Sequence, residues 1–296
     1  MDTPRTFLLV LVTILTHSFA NGCVLNTDPT FSRWKQFGYN NVPFIFYPGD
    51  YTAAEQSLIL QAMAQIKSDM GSCFTWTQYT SPPTDGTNFV IISKAGGPGV
   101  ASQSCYTYPG MITLQQGKGQ YMAIQSGVNG CLSNVRQVMR LLMSLLGQRF
   151  EHNKPNRDAY VNINRGIATA VSLNYGAYNI YNKSLVLSND ADFDYNSVTL
   201  LDPPTFSNTG NPVVTGKTVG INNVGRLSLK DCQCLSFLYS CTVSCQNVYS
   251  GAPLPTQFIV IPTSTSTSTS TSTSTSTSTS TTTTPFAFPF DLGRRR

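Results

Sequence analysis

Histidine is scarce in this sequence, and its scarcity limits the chemistry that the chain can perform. The chain has two histidines, His17 and His152. A zinc site of three imidazoles cannot be built from two, and a serine or cysteine nucleophile would depend on one of them as its base. His152 follows Glu151 and lies near Asp158, but one imidazole beside carboxylates is a weak metal-site pattern. We interpret His152 as a surface residue.

Other catalytic patterns are absent or weak. The sequence contains no G-x-S-x-G segment, which would mark a nucleophilic serine at a strand-to-helix turn. The glycine-rich residues 96–99 predict a turn rather than a phosphate-binding loop. Asp190 and Asp192 could act together on a glycosidic bond. No surrounding pattern supports that role, and a solvated acidic loop is the better interpretation.

Eight cysteines are present, and none of them forms a C-x-x-C pair, so the sequence does not support a zinc ribbon. In a secreted chain an even set of cysteines predicts disulfides rather than thiolate ligands or a free nucleophile. The set is Cys23, Cys73, Cys105, Cys131, Cys232, Cys234, Cys241 and Cys245. Their spacing alone does not determine how they pair.

The first 20 residues have the pattern of a cleaved signal peptide. Arg5 precedes an apolar run at 7–15, and Ser18 and Ala20 supply small side chains at the positions that a signal peptidase recognises. A membrane span needs about 20 apolar residues, and neither this run nor any later one is long enough. We therefore expect a secreted, extracellular protein without a membrane span.

The C-terminal part has low complexity. Residues 263–284 are an unbroken Thr/Ser tract, which cannot bury enough apolar surface to offset its chain entropy. We interpret it as a mucin-like, O-glycosylated stalk, with an unmodified flexible tail as the alternative. A linker at 246–262 precedes the tract, and a disordered tail at 285–296 follows it. Asn182 begins the one clear N-glycosylation motif, Asn-Lys-Ser.

The composition favours a globular domain with these additions. The 296 residues are 41% hydrophobic and 11% charged, against about 25% charged in a typical soluble domain. The net charge is +5, and residues 294–296 supply three of these charges. Since no strong basic field remains, we expect no nucleic-acid partner. Collagen, coiled coil and wholesale disorder are excluded.

Residues 21–245 are expected to form one α+β domain. The sequence predicts strands at 42–47 and 89–92 and a hairpin within 111–125. It also predicts three helices. The first begins at a Thr52–Glu55 capping box, the second spans 134–146 and is ended by Gly147, and the last runs from a Ser228–Asp231 cap to about Cys241.

The segment after the central helix resembles the signature of the astacin family of zinc metallopeptidases. That family extends its zinc motif, H-E-x-x-H-x-x-G-x-x-H, into H-E-Q-S-R-P-D-R-D-x-Y-V-x-I. Within residues 147–163 the matches without a gap are Glu151, Pro155, Arg157, Asp158, Tyr160, Val161 and Ile163. Shorter similarities lie at 33–44, 62–74, 197–198 and 238–241, so the resemblance covers about residues 33–241.

The resemblance implies a two-lobed metzincin scaffold, stabilised by disulfides, whose zinc chemistry is missing. Counting back from Gly147, the three ligand positions hold Arg140, Ser144 and Phe150, and the catalytic-base position holds Leu141. Zinc sites of this kind need imidazole ligands and a glutamate that takes a proton from bound water. Leu141 cannot accept a proton, and Arg140 would repel a dication. No catalytic residue is retained, and no zinc or other cofactor is expected.

Two further features follow from the same resemblance. The Met-turn of the family falls on Thr199, Leu200 and Leu201, and its two framework disulfides correspond to Cys73–Cys241 and Cys105–Cys131. The pairing of Cys23, Cys232, Cys234 and Cys245 stays open.

The ligand face of the central helix looks into the cleft in active relatives, so Arg140 and Ser144 are expected to line its floor beside Phe150. A desolvated guanidinium needs an anionic or acceptor partner. Glu151 is one candidate, and an acidic ligand is another. The alternative is that Arg140 extends along the helix to water.

These observations lead to one principal hypothesis and two alternatives. The principal one is a secreted, inactive astacin-like protein that acts by binding an unknown protein or peptide in the old cleft, or as an extracellular matrix or surface protein. The first alternative is an active zinc endopeptidase with ligands outside the family pattern. The second is a structural glycoprotein whose stalk matters more than its domain. Metal content separates the first two, and deletion of the stalk tests the third.

Overall fold

The structure is a computed structural model that describes residues 23–97, 105–114, 117–127, 130–188, 192–221, 225–243, 245 and 248. The predicted signal peptide at 1–20, the stalk and the tail lie outside these residues, as does the linker apart from Val248. Asp190 and residues 98–99 of the glycine-rich turn also lie outside them. Within the described part of the chain, no helix combines the length and apolar character that crossing a membrane requires.

The main sheet has five strands and contains both strands that the sequence predicts. Its members are β3 (Lys35–Gln36), β4 (Tyr39–Phe46), β5 (Thr75–Gln78), β6 (Phe89–Ser93) and β8 (Gly119–Ala123). Strand β4 runs parallel to β5 and β6, β6 runs parallel to β8, and β3 pairs antiparallel with β4. The mostly buried, β-branched and aromatic sequences of β4 and β6 suit a sheet covered by helices.

Six shorter strands form three antiparallel pairs. They are β1 (Leu25–Asn26) with β10 (Val186–Leu187), β2 (Phe31–Ser32) with β7 (Met111–Ile112), and β9 (Val161–Ile163) with β11 (Val214–Gly216).

Residues 111–125 do not form the predicted hairpin, because β7 pairs with β2 and β8 pairs with β6. The Gln120 side chain connects the two segments instead. Its amide oxygen accepts the Ile112 N–H at 2.9 Å, and its amide nitrogen donates to the Gly110 carbonyl at 2.9 Å. One buried side chain thus satisfies backbone groups that a hairpin ladder would have paired.

The helices begin where their caps predict. Helix α1 (Ala53–Met70) starts at the Thr52–Glu55 capping box, and α4 (Leu229–Tyr239) starts at the Ser228–Asp231 capping box. Helix α2 (Val135–Leu145) starts after Asn134, whose side chain accepts the Gln137 N–H, and α3 (Ala170–Asn174) is a short helix after Thr169. Helices α1 and α2 pack against each other.

Apolar side chains form a main core and a second, smaller core. The main core joins α1, α2, α4 and the inner strands, while the second lies around β9, β11 and the segment that contains Leu200 and Leu201. This mixture of helices and strands is the predicted α+β class.

Four disulfides join the described cysteines: Cys23–Cys234, Cys73–Cys241, Cys105–Cys131 and Cys232–Cys245. The second and third are the pairs that the family resemblance implies. The other two, which the sequence left open, attach the N-terminal segment and the segment after α4 to that helix. Each closes a loop of the unfolded chain and therefore limits its entropy.

Candidate functional site

Arg140 lies on α2, and every residue of that helix from Arg136 to Leu145 is buried. Most of the Arg140 side chain is therefore held within the fold rather than extended along the helix into water, and the residue is 3% exposed. Its Nε donates to the side-chain oxygen of Gln137 at 3.1 Å. Its guanidinium carbon lies 4.9 Å from the centre of the Phe150 ring. Two of the three predicted ligand positions are thus in direct contact, as a cation on an aromatic face.

The other two positions predicted on α2 are also buried. Ser144 is 4% exposed, and Leu141 is 1% exposed within the main core. Leu141 is an ordinary core side chain, which explains its type without any catalytic role.

His152 is a buried residue, so its interpretation as a surface histidine is wrong. It is 1% exposed and stacks on Phe150 with ring centres 5.5 Å apart. Its Nδ1 accepts the Leu201 N–H at 3.3 Å, so the imidazole is neutral in this arrangement. Burial, followed by the positive charges of Arg140 and Arg157, holds the pKa of His152 well below its usual value.

The predicted Met-turn residues lie beside the same segment. Thr199 accepts the Glu151 N–H on its hydroxyl at 3.2 Å, and Leu201 donates its N–H to His152. Leu200 and Leu201 are both 0% exposed within the second core. The predicted Met-turn segment is therefore joined to the segment after α2 by one hydrogen bond to Glu151 and one to His152.

Glu151 does not neutralise Arg140, contrary to one expectation from the sequence. Its carboxylate lies 3.5 Å from the ammonium of Lys154 and accepts the Asp194 N–H at 3.0 Å. Lys154 is 0% exposed and also donates to the Asp192 carbonyl. Burial raises the pKa of Glu151 to about 7, and the charge of Lys154 opposes that shift.

Sequence reasoning missed a polar network beside Arg140. Arg136, one turn earlier on α2, forms an ion pair with Asp202 and donates to the carbonyls of Ser197 and Leu200 at 3.0 and 2.9 Å. The Gln137 side chain donates to the other oxygen of Asp202. The signal in the sequence was two arginines four residues apart on a mostly apolar helix, a spacing that places both on one face.

Asp231 has a second role besides capping α4. Its carboxylate accepts hydrogen bonds from the side chains of Gln148 and Ser197 and from the Val198 N–H, at 2.6, 2.7 and 2.7 Å. Burial, followed by the nearby charge of Asp194, raises the pKa of Asp231 to about 6. This residue fastens the predicted Met-turn segment to the start of α4.

The chemistry available here is that of cations, aromatic rings and buried carboxylates that are already engaged. Among the residues that the structure describes, no three or more His, Cys, Asp or Glu side chains are grouped so that they could hold a metal ion.

Comparison with known proteins gives the family. The chain matches the peptidase family described as Astacin over residues 28–240. Seminal metalloprotease 1 of Drosophila melanogaster is 30% identical over 116 residues, which are 38% of this chain and 45% of that protein. The chain thus spans less than half the length of this curated relative.

The fold has a solved counterpart. High choriolytic enzyme 1, a hatching enzyme zinc-protease from Oryzias latipes (medaka fish), superposes with a TM-score of 0.52 at 22% identity, over 73% of this chain and 96% of that one. At this identity the likeness concerns the fold alone. The family match over residues 28–240 leads to one conclusion: the chain belongs to the astacin family of peptidases.

Proposed function

We propose that this protein is a secreted, catalytically inactive member of the astacin family that acts by binding rather than by cleaving peptide bonds. The observation that carries the proposal is the contact between Arg140 and Phe150. A buried guanidinium and an aromatic ring occupy two predicted ligand positions, 4.9 Å apart.

The residues at the predicted ligand positions do not fit zinc. A zinc ion takes nitrogen, thiolate or carboxylate ligands, whereas Arg140, Ser144 and Phe150 offer a cation, a hydroxyl and an apolar ring. The guanidinium would repel the metal, and Leu141 cannot take a proton from bound water. No hydrolytic step through a metal follows from this set of side chains.

His152 supports the same proposal, because it is the one histidine after residue 20. Its Nδ1 is engaged by the Leu201 N–H, and its ring lies against Phe150. Moving it into a metal site would break both contacts. An active enzyme with ligands outside the family pattern therefore has no imidazole at its disposal in the folded domain.

Secretion is the second part of the proposal. The signal-peptide pattern at 1–20 and the four disulfides both suit an oxidising, extracellular route. Asn182 is exposed, and its side-chain oxygen accepts hydrogen bonds from the N–H and the hydroxyl of Ser184, both at 3.0 Å. We expect an N-linked glycan at Asn182 and O-linked glycans on the stalk at 263–284. The glycosylated stalk would hold the domain away from a matrix or surface.

A peptidase assay with a rebuilt site tests the proposal. The purified secreted protein, supplied with zinc, should not cleave denatured casein. Arg140→His alone should bind no zinc, because two ligands are still missing. The quadruple variant Arg140→His, Leu141→Glu, Ser144→His, Phe150→His should take up zinc at least weakly. Casein cleavage by the unmodified chain that a zinc chelator abolishes would overturn the inactive assignment. A folded quadruple variant without zinc uptake would overturn the placement of the ligand positions.

A further inference from the structure

Three arginines among the described residues are buried, and they differ in how their donors are used. Arg136, Arg140 and Arg157 are 5%, 3% and 3% exposed. A guanidinium has five N–H donors, and burying them without acceptors is costly. Arg136 donates to the Asp202 carboxylate and to two carbonyls. Arg157 donates to the Asp158 carboxylate and to two carbonyls.

Arg140 is the exception. Only its Nε has an acceptor among the described residues, the side chain of Gln137 at 3.1 Å. Its two terminal nitrogens form no hydrogen bond within that part of the chain. The nearest candidate counter-ions are already engaged, because Asp202 pairs with Arg136, and Glu151 pairs with Lys154.

The charge of Arg140 persists at neutral pH. Burial lowers its pKa to about 10, and the negative charge of Asp202 opposes this shift. The guanidinium is thus a protonated group positioned over the Phe150 ring, and its two terminal nitrogens carry four N–H donors that are unused among the described residues. Phe150 itself is only partly buried, so a ligand that reaches this ring is close to the cation.

We propose that Arg140 anchors a carboxylate-binding site, in which its two terminal nitrogens donate a pair of parallel hydrogen bonds to one carboxylate of a peptide ligand. The inference rests on the binding role proposed above and names the chemistry of the ligand for the same site. A planar guanidinium matches a carboxylate in this bidentate geometry better than an ammonium does. Because the aromatic face fixes the guanidinium beforehand, little side-chain entropy is lost on binding.

A second cation lies next to the first. Arg149 stacks on the Tyr181 ring at 4.2 Å, and the Tyr181 hydroxyl accepts the Phe150 N–H at 3.3 Å. The two cation–aromatic pairs, Arg140 on Phe150 and Arg149 on Tyr181, are therefore joined through one backbone hydrogen bond. This adjacency favours an acidic peptide over a neutral one.

The carboxylate could come from an acidic side chain or from the C-terminus of a peptide. Three synthetic probes separate these sources: the amidated, acetylated peptide Gly-Glu-Glu-Gly, its Gly-Gln-Gln-Gly counterpart, and Gly-Gln-Gln-Gly with a free C-terminal carboxylate. Binding is measured by isothermal titration calorimetry on the full secreted chain. We expect the wild type to bind at least one carboxylate-bearing probe and not the amidated neutral peptide. Equal binding of all three probes, or of none, contradicts the inference.

Arg140→Gln should weaken binding of that probe by roughly tenfold or more, the loss expected for one charge-assisted hydrogen-bonded pair. Arg165→Gln is the matched control. Arg165 is exposed, donates to the Tyr178 carbonyl, and lines with Lys217 a groove of about 660 Å³ whose lining does not include Arg140. The control should bind like the wild type. If Arg165→Gln loses binding and Arg140→Gln keeps it, the carboxylate binds in that groove and the inference is wrong.

A stability measurement distinguishes the loss of the binding site from the loss of the fold. Arg140→Met removes a buried cation that lacks a counter-ion, so its stability in urea should equal or exceed that of the wild type. A large loss of stability with probe binding intact would assign Arg140 a structural role and contradict the inference. Zinc is measured in the same preparations. A zinc-bound wild type contradicts the proposed function, whereas a zinc-free wild type that binds no probe contradicts the carboxylate site alone.

Discussion

Replacing Lys154 with methionine should destabilise the domain strongly, and the loss should depend on pH. Lys154 is 0% exposed, and its ammonium lies 3.5 Å from the Glu151 carboxylate and donates to the Asp192 carbonyl. Glu151 is 2% exposed. Methionine has a similar volume but no charge, so the variant leaves a buried carboxylate without its cation.

The size of the loss follows from the charge state of Glu151. Removing one partner of a buried ion pair costs about 3–5 kcal/mol while the other partner stays ionised. The folded pKa of Glu151 is about 7, above its ordinary 4.5, so the folded state binds a proton that the unfolded state releases. The contribution of protonated Glu151 to the free energy of unfolding is therefore at its maximum below about pH 4.5, and it is lost as the pH rises through 7. Without Lys154 the folded pKa of Glu151 rises further, so the loss of stability extends to higher pH and becomes larger in total.

Urea unfolding with the disulfides intact measures this effect. At about pH 8 we expect Lys154→Met to lose about 3–5 kcal/mol, whereas at about pH 5, with Glu151 protonated, the loss should shrink to about 1 kcal/mol from the missing hydrogen bond. The double variant Glu151→Gln, Lys154→Met is the matched control, because glutamine still accepts the Asp194 N–H without a charge. At the higher pH this double variant should regain most of the stability that Lys154→Met loses. Equal losses at both pH values, or a double variant as unstable as the single one, would refute the reasoning.

Three further predictions address other parts of the account. His152 binds a proton in the unfolded state more readily than in the folded state. The free energy of unfolding of the wild type should therefore fall by up to about 1.4 kcal/mol per pH unit below pH 6.5 relative to that of His152→Gln. Parallel pH profiles of stability for the two proteins contradict this. Asn182→Gln should remove one glycan, seen as a single mass step on gels with and without peptide N-glycosidase, and an unchanged mass contradicts the glycan. Breaking Cys23–Cys234 with Cys234→Ser should cost about 2–5 kcal/mol, and a non-reducing digest of the wild type should yield that linked peptide.

Elements that depend on neighbouring residues could be predicted from the sequence. The capping boxes Thr52–Glu55 and Ser228–Asp231 each act within one turn, and both helices begin there. The apolar run of β6 needs no distant partner to be recognised as a strand. The α+β class and the order of these elements follow from such local signals.

Features that depend on distant residues could not be predicted. Strand β7 pairs with β2, whose residues lie about 80 positions earlier, so the periodicity of 111–125 carried no information about its partner. His152 is buried, and its ring accepts a hydrogen bond from Leu201, which lies 49 residues later in the chain. The family resemblance placed Arg140 beside Phe150, but a charged side chain looks the same in sequence whether it is solvated or buried, and only the fold shows that Arg140 is buried.

The zinc content of the secreted protein tests the central claim most directly. The purified chain should be saturated with zinc, passed over a desalting column and analysed by inductively coupled plasma mass spectrometry beside the quadruple variant with the rebuilt site. We expect the wild type to retain no stoichiometric zinc, because Arg140, Ser144 and Phe150 supply no ligand set. We expect the rebuilt variant to retain more zinc than the wild type. About one zinc per wild-type chain, removed by a chelator together with peptidase activity, would contradict the account.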